Sequence, residues 1–142
     1  LRPDLEQQVN SLGLSSSVIL AKPTHQMKEV YQSASIYAMT SRYEGLPMVL
    51  IEAQHMGLPI VAFACPCGPK DVLHPGEDGY LISQGDDDGF FTALGQLMDS
   101  EAERVRMGAN ARKASARYEV DAVMGQWLDL FSSLVPNKSS AV

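Results

Sequence analysis

Two carboxylates, Glu44 and Glu52, stand with seven residues between them in the run SRYEGLPMVLIEAQHMGLPIVA, residues 41–62. The run reads as a loop with a glycine, a helix start near Pro47, one apolar helix, a Gly57-Leu58-Pro59 break and a buried strand. A helix start offers unpaired backbone N–H groups and a positive dipole end, which together seat a phosphate or a pyrophosphate. If the helix begins near Pro47, Glu52 lies roughly 7 to 8 Å along its axis, and with Glu44 placed before the first turn the two carboxylates are about 10 Å apart. A sugar and a ribose joined by a pyrophosphate span such a gap. A carboxylate accepts two hydrogen bonds at once, so Glu52 suits a pair of ribose hydroxyls and Glu44 falls at the sugar end.

The elements that must position these acids follow from periodicity. Leu5, Val9 and Leu12 have helical spacing over residues 3–12, with Gly13 placed to end the helix in the left-handed conformation. A short apolar strand is predicted over 18–21. Met27, Val30, Tyr31 and Ala34 mark one face of a short helix, and 36–40 reads as the next strand. The helix over 47–56 carries Val49, Leu50, Ala53 and Met56, with Pro47 at an early position where its absent N–H costs nothing. Residues 59–64 are continuously apolar, as in a parallel strand covered on both faces. Gly68-Pro69 opens a short helix through Leu73, and Pro75-Gly76 and Gly79 bound a strand over 80–83. Asp86, Asp87 and Asp88 cap a helix whose apolar face is Phe90, Phe91, Leu94, Leu97 and Met98. A polar helix over 101–117 precedes a last helix presenting Val123, Met124, Trp127, Leu128, Phe131 and Leu134. The pattern predicts an α/β fold over 1–135, a largely parallel sheet flanked by helices, followed by a tail over 136–142. Ligands of such sheets bind outside the carboxyl ends of the strands, and Glu44 follows the strand over 36–40.

Composition narrows the function classes. The formal charge of −6 and the isoelectric point near 4.9 argue against a nucleic-acid surface and against an anionic membrane surface for this segment. No apolar run approaches the roughly 20 residues needed to cross a bilayer, and no secretory signal opens the chain. Cys65 and Cys67, on either side of Pro66, read as reduced thiols of a cytoplasmic protein. His25, His55 and His74 show no metal-ligand spacing, and Asp86 to Asp88 read as capping charges rather than a metal site.

Glu44-Gly45-Leu46-Pro47, Glu52-Ala53, Gly57-Leu58-Pro59-Ile60-Val61-Ala62, Gly68-Pro69 and Gly76-Glu77-Asp78-Gly79-Tyr80-Leu81-Ile82 resemble, in order and spacing, the donor-binding signature of retaining, nucleotide-sugar-dependent glycosyltransferases of the family 4 type. That family has two facing Rossmann-like domains, an N-terminal one for the acceptor and a C-terminal one for the nucleotide sugar. The resemblance implies that this chain is the later part of the donor-binding domain. A strand, a glycine turn and an Arg/Lys pair that neutralises the pyrophosphate would lie upstream of Leu1, and the chain alone is expected to be inactive. It further implies Glu44 beside the donor sugar, and Gly45, Leu46, Met48 and Val49 as backbone contacts. Pro47 shapes the loop that Ser41 opens, Glu52 takes the ribose, and Lys22 and Pro23 contact the base.

The implied activity is transfer of a sugar, with a UDP-sugar as the expected donor, to a glycan or lipid-linked saccharide in surface polysaccharide or lipopolysaccharide synthesis. No cofactor or metal is expected, and no nucleic acid or membrane contact from this segment. The parent is expected in the cytoplasm, peripheral at the inner face of the cell membrane. A nucleotide-sugar epimerase of the same architecture and a non-catalytic interaction module are the alternatives.

Overall fold

A computed structural model describes residues 1–134. Its centre is the run Ile60–Ala64, here β2, in which every residue but Ala64 is buried. Its neighbours are β1 (Tyr37–Met39) and β3 (Gly79–Ser83), both parallel to it, in the order β1-β2-β3. Parallel neighbours need long crossovers, and helices supply them. The helices are α1 (Arg2–Ser11), α2 (Met27–Ser33), α3 (Met48–His55), α4 (Pro69–Val72), α5 (Asp87–Asp99), α6 (Glu101–Ser115) and α7 (Val120–Leu134), with one 3₁₀ turn over Ala116–Tyr118.

Alternation along β2 divides the core in two. Ile60 and Ala62 join Leu50, Ile51, Ala53 and Val72 on the α3 side, whereas Val61 and Phe63 join Phe90, Ala93, Leu97 and Met107 on the α5/α6 side. Phe63 and Phe90 stack with centroids 4.6 Å apart. Each fully buried Leu or Ile here contributes roughly 1.5–3 kcal/mol. The end of α3 is fixed by local rules. Gly57 takes φ +76°, Leu58 N–H donates to Ala53 C=O at 3.0 Å and Gly57 N–H to Gln54 C=O at 2.9 Å, the paired closure of a Schellman motif. Asp86 accepts from Gly89 N–H at 2.9 Å and starts α5 as expected.

Several expectations are corrected. The strand over 18–21 does not form. Its carbonyls at Leu20 and Ala21 are taken by the Arg2 guanidinium, at 2.7 and 3.4 Å, and Ile19 is 90% exposed. A strand needs a neighbour for its ladder, and among the described residues none lies beside this segment. α1 and α7 bury no residue: Leu5 and Leu12 are exposed, Val9 is half-buried, and the apolar positions read on α7 are exposed. On α2 only Tyr31 is buried, while Met27 and Val30 are exposed. On α5 the buried stripe is Phe90, Ala93 and Leu97, the i, i+3, i+7 positions, which turns Phe91 and Met98 to solvent. The helix read as polar ends at Ser115 and buries Met107, Gly108 and Ala111. Pro47 is the N-cap of α3, not its first helical residue, and Val49 is exposed where Ile51 and Gln54 are buried. The tail over 136–142 lies outside the described residues.

A buried polar node ties α3 to β3. Asp78, 1% exposed, accepts from His74 N–H at 2.8 Å and from Gln54 Nε2 at 3.0 Å, and its other neighbour is His74 Nδ1 at 3.0 Å. Arg117 Nη1 lies 3.3 Å from His74 Nε2. A guanidinium only donates, so Nε2 is the acceptor and Nδ1 carries the proton that goes to Asp78. Gln54 Nε2 also donates to Val72 C=O at 3.1 Å, so Asp78→Ala leaves one N–H of the buried Gln54 amide and the His74 backbone N–H unpaired. It is expected to lower unfolding stability by about 2–4 kcal/mol, read as an earlier urea midpoint.

Candidate donor-binding site

The site grows from the carboxyl ends of β1 and β2. After Met39 the chain leaves the sheet through Thr40 and half-buried Ser41, passes half-buried Glu44, and reaches Pro47, whose ring is buried. Pro47 caps α3 with no side-chain hydrogen bond, and the first turn holds no acidic residue. Neither a polar side chain nor a carboxylate of that turn satisfies the N–H groups of Met48 and Val49, which leaves the positive end of the helix free for an outside anion. Leu46 and Met48, 55% and 56% exposed, flank this tip.

The loop after β2 props the loop that carries Glu44. Cys67 and Gly68 are both left-handed, at φ 65° and 75°, an uncommon conformation for a residue with a Cβ. This double turn lays Gly68 directly on the other loop. A Cβ at Gly68 would overlap the Gly45 carbonyl oxygen and come within 2.6 Å of Pro47 Cδ, so only glycine fits. Both cysteines are free, Cys65 buried and Cys67 exposed.

On the solvent side of α3, Glu52 accepts the Tyr31 hydroxyl at 2.8 Å. Burial, and then the Glu52 hydrogen bond, raise the Tyr31 phenol well above the usual tyrosine range. Tyr37, 5.9 Å from Tyr31 between ring centroids, is also raised, first by burial and then by the charges of Glu44 and Glu52. A cavity of about 680 Å³ opens beside Glu52, lined by Met27, Lys28, Tyr31, Ile51 and His55 among others. Its size and largely apolar wall suit a small organic ligand.

The sequence-predicted residues therefore divide. Glu44, Gly45, Leu46, Pro47, Met48, Val49 and Glu52 share one loop and helix start, with Ser41 at its entrance. Lys22 and Pro23 lie exposed in irregular chain between α1 and α2, and neither lines the cavity at Glu52. Tyr31, Tyr37 and Gly68 were not read as site residues. A tyrosine on an otherwise apolar helix face was the available signal for Tyr31, because a buried phenol needs a partner. Among the described residues no three His, Cys, Asp or Glu side chains converge.

With this geometry in place the class is defined. Residues 2–114 match the family of glycosyl transferases group 1, and the chain belongs to that family. It is 35% identical over 131 residues to the amylovoran biosynthesis glycosyltransferase AmsD of Erwinia amylovora, covering 92% of this chain and 37% of that protein. It is 34% identical over 79 residues to the lipopolysaccharide 1,6-galactosyltransferase of Escherichia coli K12, covering 56% of this chain and 22% of that one. A variant of S. aureus TarM, solved with fondaparinux, alpha-GlcNAc-glycerol and UDP, superposes with a TM-score of 0.83 at 25% identity, over 91% of this chain and 26% of that one. The chain thus spans between 22% and 37% of the length of these relatives. The α/β, Rossmann-like class and the glycosyltransferase family read from the motifs are both borne out.

Proposed function

We propose that the protein carrying this chain transfers a sugar from a nucleotide sugar, a UDP-sugar, to a glycan or lipid-linked acceptor of a surface polysaccharide or lipopolysaccharide, with retention of configuration, and that this segment holds the donor. The observation that carries the reading is the uncapped start of α3, free of acids in its first turn and flanked by Glu44 and Glu52. The diphosphate rests on the Met48 and Val49 N–H groups and the positive end of the helix. Glu44 takes hydroxyls of the donor sugar and Glu52 the ribose diol, with Gly45 allowing close approach. The nucleoside side of the donor extends from Glu52 toward the adjoining cavity.

Transfer requires stabilisation of an oxocarbenium-like carbon and of the departing diphosphate. N–H donors already aimed at the leaving oxygens supply that stabilisation without reorganisation. On the retaining route the acceptor oxygen bonds to the anomeric carbon on the face from which the C–O bond to phosphate breaks, and the leaving phosphate oxygen takes the acceptor proton. No resident metal takes part in this reading. The names of the polysaccharide and lipopolysaccharide relatives and the UDP-bound structure support the donor and acceptor classes. The acceptor is read by a domain beyond this segment. Among the described residues no helix is long and apolar enough to cross a membrane, and the reading places the enzyme in the cytoplasm, at the inner membrane face.

Calorimetry with the intact protein tests the donor site. Glu52→Ala is expected to weaken UDP binding by about 1.5–3 kcal/mol, the worth of charge-assisted hydrogen bonds to the ribose. Unchanged UDP affinity would remove Glu52 from the site. With donor alone, an epimerised nucleotide sugar in the NMR spectrum would favour the epimerase instead.

A further inference from the structure

Glu52 is solvent-exposed on a helix surface, where a glutamate carboxylate samples many orientations. Tyr31 removes that freedom. Its phenol is 5% exposed, anchored in the α3-side core and tilted against Tyr37, and its hydroxyl reaches Glu52 Oε2 at 2.8 Å from 21 residues away in sequence. A hydroxyl donating to a carboxylate is a charge-assisted bond, stronger than a neutral one. The carboxylate presents about four lone-pair sites, and the phenol occupies one of them on Oε2. Among the described residues Tyr31 is the donor that reaches this exposed carboxylate, which leaves Oε1 and the rest of Oε2 for two adjacent hydroxyls of a ligand. Tyr31 also lines the cavity beside Glu52, so the phenol sits behind the carboxylate and at the edge of the space a nucleoside would fill.

We propose that Tyr31 is a positioning residue for nucleotide recognition: its hydroxyl holds the Glu52 carboxylate in the orientation that accepts a ribose 2′,3′-diol, which makes donor affinity depend on both hydroxyls. This rests on the ribose role given to Glu52 above. Tyr31 touches no part of the reacting sugar. Its effect is confined to binding and to ligands that carry the diol.

The test is calorimetry of UDP and of 2′,3′-dideoxy-UDP with the intact protein in four forms: unaltered, Tyr31→Phe, Glu52→Ala and the double variant. Tyr31→Phe keeps the buried ring and removes only the hydroxyl. It is expected to weaken UDP about five- to tenfold and to leave dideoxy-UDP within about twofold. In the Glu52→Ala background the same substitution is expected to add nothing, since the bond it removes is already gone. Equal weakening of both nucleotides by Tyr31→Phe would show a packing role and overturn the proposal. So would unchanged UDP affinity in Tyr31→Phe while Glu52→Ala binds weakly. Unchanged UDP affinity in Glu52→Ala would strike the underlying assignment of Glu52, and the proposal with it.

Discussion

Glu44→Ala in the intact protein is expected to lower the turnover of sugar transfer about 100- to 1000-fold while UDP binds within about twofold of its unaltered affinity. The split follows from position. Glu44 precedes the uncapped start of α3, whereas Glu52 lies within the helix, and the proposed donor placement sets Glu44 against the sugar that UDP lacks. A carboxylate that orients the donor sugar for attack acts where the transition state differs from the bound nucleotide, and losses at such preorganised polar groups are of this size. Glu44 is half-buried at this position. Steady-state kinetics with saturating acceptor, beside calorimetry with UDP, check both halves. Full turnover in Glu44→Ala would remove it from catalysis, and a matching loss of UDP affinity would move it to the nucleotide side.

Gly68→Ala is expected to reduce kcat/KM about 100-fold through a residue outside the signature acids. The added methyl meets the Gly45 carbonyl oxygen and the Pro47 ring, both parts of the loop that carries Glu44, and φ 75° is itself unfavourable for alanine by about 1–2 kcal/mol. Backbone cannot yield as the end of a side chain can. The 44–47 loop and the start of α3 must therefore move, and a displacement near 1 Å at a reacting centre costs about 100-fold. The core formed by Ile60, Leu50 and Val72 is left in place, so the variant should still unfold cooperatively. Normal kinetics in a folded Gly68→Ala protein would mean that the two loops are not coupled.

How far the sequence carries depends on whether a feature obeys local or tertiary rules. The β2 run, the Gly57 closure of α3 and the Asp86 cap need nothing beyond a few neighbouring residues, and all were legible. So was the grouping of Glu44 and Glu52 around one helix start, because a single short segment spans both. The strand over 18–21 was not, since apolar residues cannot show that their ladder lacks a partner. Phe91 and Met98 misled because large side chains suggested a wider buried face than the Phe90, Ala93, Leu97 stripe. Tyr31, Gly68 and Asp78 take their roles from approaches between segments distant in sequence, such as Gln54 and Asp78, 24 positions apart. Spacing within one motif carries no trace of such meetings.

The claim beneath these results is that a diphosphate rests on the exposed amides opening α3, with one acid toward the sugar and one toward the ribose. The structure of the intact protein with UDP bound tests it most directly. The account requires the β-phosphate within about 3 Å of the Met48 and Val49 nitrogens and the ribose hydroxyls on Glu52. A diphosphate seated elsewhere, with this helix start bare and Glu52 facing solvent, would contradict it.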